Sequence, residues 1–133
     1  MNYFMSGAAA LMGVTTGVHL LLGTGESMTP ILETESIHPV IKGTTLVVWH
    51  MITLILAMST GAIFYLAKNA NKALAVFVMA LQFGFAAIFL FVTLTMFSAL
   101  FTLPQWSAFF LTGALMCAAL LKPIEQQEKR TAT

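Results

Sequence analysis

The sequence predicts an all-α membrane protein, a bundle of four transmembrane helices with a short interfacial helix between the first two. Of its 133 residues, 59% are hydrophobic and only 8% are charged, whereas charged residues make up about 25% of a typical soluble domain. The apolar residues occur in long blocks, each close to the ~20 residues that a helix needs to cross the hydrocarbon core. We therefore expect one membrane domain over residues 1–121 and a short charged tail over residues 122–133.

The first predicted span covers about residues 3–22. Gly13 and Gly17 are spaced so that another helix can approach this one closely. The block lacks a basic amino-terminal region and a small-x-small cleavage site, so it is expected to stay in the protein as a span and not to act as a signal peptide. The glycine-rich residues 23–25 are expected to end the helix.

A short interfacial helix is predicted over residues 30–37. Pro30 suits the first helical position, where its missing N–H costs nothing, and Ser27 or Thr29 is a suitable cap. The apolar residues of this stretch would face the membrane, and Glu33 and Glu35 would face water.

Three further spans are predicted over about residues 44–66, 73–100 and 104–121, with residue 40 as the alternative start of the first of these. In the second span, His50, Leu54, Ala57 and Gly61 recur at helical spacing, and the small residues favour a stripe that faces another helix, with His50 pointing into the bundle. In the third span, Gln82 is the most polar internal residue and is expected to form an interhelical hydrogen bond.

The distribution of basic residues predicts the orientation, because cytoplasmic loops of membrane proteins are enriched in lysine and arginine. We expect the protein in the inner membrane of the cell, with both termini in the cytoplasm. In this orientation, Lys42 is the only basic residue on the outer side. The inside then carries Lys68, Lys72, Lys122, Lys129 and Arg130. The net charge of +1 gives no indication of nucleic-acid binding. The expected partners are the lipid bilayer and either further copies of the chain or other membrane subunits.

His19 and His50 are the main candidates for a functional site. His19 lies about one turn from the outer end of the first span and His50 one to three turns from the outer end of the second. Both are thus expected about 5–15 Å below the same surface. Neighbouring helices are about 8–10 Å apart, so two imidazoles can share a ligand, and ionisable groups within membrane spans often mark function.

Three ligand classes suit these residues. Neutral imidazole binds transition metals, and a carboxylate from Glu26, Glu33 or Glu35, or the His38 imidazole, can complete a shell with His19 and His50. Two histidines from different helices can also ligate haem iron. A quinone head group is the third class, with hydrogen bonds from His50 and the Trp49 indole.

The plain alternative is that both histidines are structural. Each imidazole would then bond a backbone carbonyl, Thr15 or Thr53, and His38 would be an exposed loop residue. The only cysteine, Cys117, lies within the last apolar block, where a lone thiol is expected to be a small packing residue.

Residues 17–23 (Gly-Val-His-Leu-Leu-Leu-Gly), 30–32 (Pro-Ile-Leu) and 49–53 (Trp-His-Met-Ile-Thr) form a pattern that resembles small bacterial four-helix membrane proteins. At fold level it is similar to the DoxX-like and ERG28-like groups. The resemblance covers the first two spans, and it carries over no catalytic residue. It implies a four-helix bundle that serves as an accessory or scaffold for a membrane redox or lipid-modifying system.

Together these observations predict a small membrane protein that acts as a subunit or accessory of a larger assembly. The alternative is a small oligomeric transporter or channel, although the inner half of the bundle offers few polar side chains beyond Ser59, Thr60 and Gln82. A stand-alone enzyme is the least favoured class, because the sequence contains no recognisable nucleophile–base pair or paired catalytic carboxylates.

Overall fold

The computed structural model describes residues 2–97 and 99–131, with side chains as far as residue 121. These residues form helices and turns, and they contain no strand. The α-helices are α1 (Tyr3–Val18), α2 (Thr29–Glu33), α3 (Pro39–Lys68), α4 (Lys72–Val92) and α5 (Gln105–Thr131). A π-helical segment, His19–Met28, joins α1 to α2, and a second one, Thr93–Phe97, extends α4. The all-helical prediction is therefore confirmed.

Within the described residues, three continuous helices are long and apolar enough to cross a membrane. They are Tyr3–Glu33, Pro39–Lys68 and Lys72–Phe97. The apolar part of α5, Gln105–Leu121, is shorter. These lengths and compositions indicate a membrane protein.

The helices pack in the cyclic order α1, α3, α4, α5. Helix α1 lies between α3 and α5, α4 packs extensively on α5, and the contact between α3 and α4 is smaller. The centre is built from small and flexible apolar side chains, including Ala8 and Met12 of α1, Ile63 of α3 and Met116 of α5, all essentially inaccessible. Alanine allows the helix axes to approach and methionine fills irregular gaps between them.

The first helix does not end at residues 23–25, so that prediction is wrong. The π-helical segment carries the chain through these glycines because backbone and side-chain hydrogen bonds hold a wider turn. Thr24 Oγ1 donates to the Leu20 carbonyl at 2.6 Å, and Thr29 donates from both its N–H and its hydroxyl to the Thr24 carbonyl, five residues back. The separate interfacial helix expected over residues 30–37 is not confirmed, since α2 is a five-residue continuation of the first helix.

Helix α3 begins at Pro39, five residues before residue 44 and one residue before the alternative start at residue 40. Pro39 occupies the first helical position, and the His38 Nδ1 atom accepts a hydrogen bond from the Val40 N–H at 3.3 Å. Lys42 then reaches back, and its Nζ atom donates to the carbonyl of Leu32 at 2.6 Å. These contacts fix the short connection between α2 and α3.

Helix α5 continues beyond residue 121, where the last span was expected to give way to a frayed tail. Residues 122–131 are helical because they are rich in Glu, Gln, Lys and Arg, which favour helix.

The stripe of His50, Leu54, Ala57 and Gly61 does not face another helix. All four residues are exposed, and a Cβ atom added at Gly61 would meet nothing within 4 Å. The buried face of α3 instead carries Leu56, Ser59 and Ile63. Helical spacing correctly grouped the four residues on one face, but it did not determine what covers that face.

Gln82 does not form the expected interhelical hydrogen bond. Its side chain is fully buried, yet neither Oε1 nor Nε2 has a partner among the described residues.

Candidate functional site

His19 opens the π-helical segment and lies against Trp49 of α3. The two rings are stacked, with centroids 4.0 Å apart and planes inclined by 19°. His19 Nε2 is 3.4 Å from the Trp49 carbonyl oxygen, so the imidazole contacts both the side chain and the backbone of that residue. His19 is half-buried by these contacts.

Trp49 is itself held in place by the π-helical segment. Its indole Nε1 donates to Thr24 Oγ1 at 3.1 Å. A Cβ atom at Gly23 would lie 3.1 Å from Trp49 Cη2 and Cζ2, closer than a side chain normally approaches, so the ring rests on the glycine backbone. The Thr53 hydroxyl donates to the Trp49 carbonyl at 3.0 Å. The indole therefore has a fixed position between two helices.

The wide turns explain why one indole meets three residues of the first helix. A π-helix closes its hydrogen bonds over five residues, which brings His19, Gly23 and Thr24 onto one face towards α3. Such segments occur frequently at functional sites. The glycine permits the ring to approach, the threonine accepts its N–H, and the histidine covers its face.

His50 follows Trp49 on α3 and points about 100° away around the helix axis. It is exposed, contrary to the prediction that it points into the bundle. Because His19 stacks on Trp49, the residue before His50, the two histidines lie at a similar level of the bundle. We call residues 19–50 the histidine end.

The other predicted metal ligands are not gathered around the histidines. Glu26, Glu33 and His38 are all exposed, and His38 uses Nδ1 to cap α3. Within the part of the chain that the structure describes, no three His, Cys, Asp or Glu side chains are grouped so that they can hold a metal ion.

The two histidines also match the needs of a haem group only in part. An axial pair requires one available nitrogen from each imidazole, aimed at the same iron. His19 Nε2 already faces the Trp49 carbonyl and one face of its ring is covered. Only Nδ1 of His19 and the exposed ring of His50 are available to a ligand.

The alternative in which both histidines are structural residues agrees with the structure in part. His19 does contact a backbone carbonyl, that of Trp49. The two threonines named for this role do not bond an imidazole, because Thr15 donates to Leu11 and Thr53 donates to Trp49.

Sequence reasoning missed Gly23 and Thr24 as parts of the site and treated them as a helix break. A signal was present, since Thr24 stands directly between Gly23 and Gly25 and lies five residues after His19. Residues five positions apart share a face in a π-helical turn, and the pattern of apolar residues does not indicate such a turn.

Comparisons of the chain with protein-family models, with curated proteins and with solved structures gave no match. The fold and site define a helical membrane protein that carries an ordered imidazole–indole pair. The resemblance to the DoxX-like and ERG28-like groups stays a prediction.

Proposed function

We propose that this protein is a small integral membrane subunit or accessory that binds a quinone head group at His50 and His19. The observation that supports this most directly is the exposed His50 imidazole beside the ordered stack of His19 on Trp49. A quinone carbonyl needs a hydrogen-bond donor and a flat apolar surrounding. Unlike a metal ion, it does not need three or four converging ligands.

In this proposal the three side chains have different roles. His50 donates to one quinone carbonyl. Its ring is exposed on the surface of α3, which a quinone dissolved in the bilayer can reach laterally. His19 points its Nε2 N–H at the Trp49 carbonyl, so its Nδ1 is an acceptor and takes a hydrogen bond from the hydroxyl of the reduced quinol. Trp49 is a positioning residue: its indole N–H is bonded to Thr24, so it is not available to the quinone as the sequence had suggested.

The role as a subunit is supported by an uncovered face of the bundle. A groove of about 550 Å³ runs between α1 and α3, lined by small residues that include Ala9, Ala10 and Gly61. Gly61 belongs to the same exposed face of α3 as His50. Small residues let a helix of another subunit or of a second copy approach closely. A partner seated there would also enclose a ligand at His50.

We further propose that the chain crosses the inner membrane four times, with α5 as the fourth span, and that both termini lie on the cytoplasmic side. The charge distribution supports this orientation, because Lys42 is then the only basic residue outside. The histidine end lies at the outer face, and the quinone binds in the outer half of the bilayer.

The test uses full-length protein purified in mild detergent without chelator. Bound quinone is extracted and quantified, and the visible spectrum and metal content are recorded on the same sample. We expect a stoichiometric quinone that is lost in His50→Gln and reduced in His19→Gln. His38→Gln is the matched control, because His38 is equally exposed but caps α3 on the far side of the connection.

Each other outcome removes the quinone proposal. A Soret band that vanishes in both His19→Gln and His50→Gln would establish haem, and a stoichiometric metal lost in the same variants would establish a metal site shared with a partner. A colourless protein that lacks quinone and metal, and that does not bind added ubiquinone, would leave the histidines as structural residues.

A further inference from the structure

A second cavity lies at the opposite end of the bundle, where α1 begins and α3 ends. We call this the lysine end and define it as Asn2, residues 66–75 and residues 119–121. The cavity has a volume of about 540 Å³. Its walls are mostly apolar, with Met5, Leu66, Ala75 and Leu120, and its rim carries Lys68 and Lys72.

The walls of this cavity are held by hydrogen bonds from Asn2. The Asn2 backbone N–H donates to the Ala67 carbonyl of α3 at 2.9 Å, and its Nδ2 donates to the Ala119 carbonyl of α5 at 3.4 Å. Its Oδ1 accepts from the Phe4 and Met5 N–H groups and so caps α1. Asn2 thus joins the start of α1 to α3 through its backbone and to α5 through its side chain, beside the cavity.

Among the side chains that the structure describes, neither lysine of the rim is paired with a carboxylate. The asparagine side chains beside them are committed to caps, as Asn71 accepts from the Leu74 N–H and Asn69 donates to the Tyr65 carbonyl. Lys68 lies over the Phe64 ring, with Nζ 4.5 Å from the centroid, so its stem lies along the apolar surface and its charge is at the rim.

The charge at this end is positive. None of the acidic residues whose side chains the structure describes is at the lysine end, since Glu26, Glu33 and Glu35 all belong to residues 19–50. Lys68 and Lys72 are the charged residues of the lysine end as defined, and its rim attracts anions.

We infer that this cavity binds an anionic phospholipid from the leaflet on that side of the membrane. The lipid phosphate lies between Lys68 and Lys72, and the glycerol and the first acyl methylenes lie against the apolar walls. Basic pockets between transmembrane helices are suited to such headgroups. A zwitterionic lipid fits less well, because its own ammonium group is repelled by the two lysines. This inference concerns the opposite end of the bundle and does not depend on the proposed quinone site.

The test measures lipid binding to the full chain by native mass spectrometry, with phosphatidylglycerol and phosphatidylcholine of identical acyl chains. We expect a clear preference for phosphatidylglycerol. The double variant Lys68→Gln/Lys72→Gln should bind it about thirtyfold more weakly, from about 1 kcal/mol for each lysine near the membrane surface. Lys42→Gln is the control, as it removes one lysine at the histidine end and should keep the preference.

A second variant tests whether the lipid binds in the cavity or is only attracted to the positively charged surface. Ala70 is exposed and lines the cavity. Ala70→Phe should block it while both lysines remain, and binding of phosphatidylglycerol should fall. Equal binding of the two lipids, an unchanged double variant or full binding in Ala70→Phe would each overturn the inference. Competition by millimolar inorganic phosphate alone would show a site for free phosphate and not for a lipid.

Discussion

The His19 imidazole lies face to face with the Trp49 indole, with 4.0 Å between the ring centroids. The two residues are thirty positions apart, and their contact fixes the depth of α3 relative to the first helix. The same indole donates its N–H to Thr24, so one side chain contacts two turns of the π-helical segment. The widened turn and α3 therefore form a single unit.

Gly23→Ala should disturb this unit without unfolding the protein. The new methyl group would lie 3.1 Å from the Trp49 ring and would push it away from Thr24. The lost hydrogen bond costs about 1 kcal/mol, but alanine gains about as much in helix propensity. We expect near-neutral thermal stability and a shifted Trp49 emission maximum, measured with Trp106→Phe so that Trp49 is the only tryptophan.

Gly25→Ala is the control for this experiment, because a Cβ atom there meets nothing within 4 Å. Its emission should match that of the parent protein. An unchanged spectrum in Gly23→Ala would contradict the tight contact between the glycine and the indole.

Gln82→Met should raise the thermal stability of the protein in detergent. The amide is fully buried and neither of its polar atoms has a partner in the described chain, so it carries an uncompensated desolvation cost of about 1–3 kcal/mol. Methionine has a similar shape without that cost. The unfolding temperature should increase.

Thr112→Val provides the comparison for Gln82. Thr112 is equally buried, but its hydroxyl donates to the Ala108 carbonyl at 2.8 Å, so its replacement should bring no such gain. A loss of stability in Gln82→Met would mean that the amide has a hydrogen-bond partner in the membrane-embedded protein.

Gly61→Leu should leave the fold of a single chain intact, because the face of α3 that carries Gly61 is uncovered. Gly113→Leu should be strongly destabilising, since even a Cβ atom at Gly113 would lie 3.0 Å from the Phe83 ring. Thermal unfolding in detergent compares the two variants.

Light scattering on the same samples measures the oligomeric state. A folded Gly61→Leu protein that loses self-association would identify this face as the interface between copies. Marked unfolding of the Gly61→Leu monomer would be inconsistent with an open face.

A reporter fused after Thr133 should be active only as a cytoplasmic reporter. The reason is the excess of basic residues at the lysine end, which positive-inside topology places in the cytoplasm. An alkaline phosphatase fusion should be inactive and a green fluorescent protein fusion should be bright. The reverse result would place the histidine end in the cytoplasm and move the proposed quinone site to the inner half of the bilayer.

The sequence alone determined the helical class, because composition and block length allow few other structures in a membrane. It also predicted the span of α4 to within a residue at its start, where a short polar turn separates two apolar blocks. His19 and His50 were expected at similar depths, because rise per residue fixes depth along a helix, and the stacking of His19 on Trp49 agrees with this. The first helix, however, continues to Glu33, so His19 is not one turn from its end.

The tertiary structure decided which side chains meet. Lipid and the bundle core are both apolar, so the hydrophobic pattern of a span does not indicate which face is buried. The stripe through His50 and Gly61 was therefore assigned to the wrong surroundings, and Gln82 was given a partner that it does not have. Likewise, only the approach of Trp49 to Gly23 and Thr24 makes residues 23–25 part of a widened helix. A helix break and a π-helical turn use the same residue types, and the packing of a second helix selects between them.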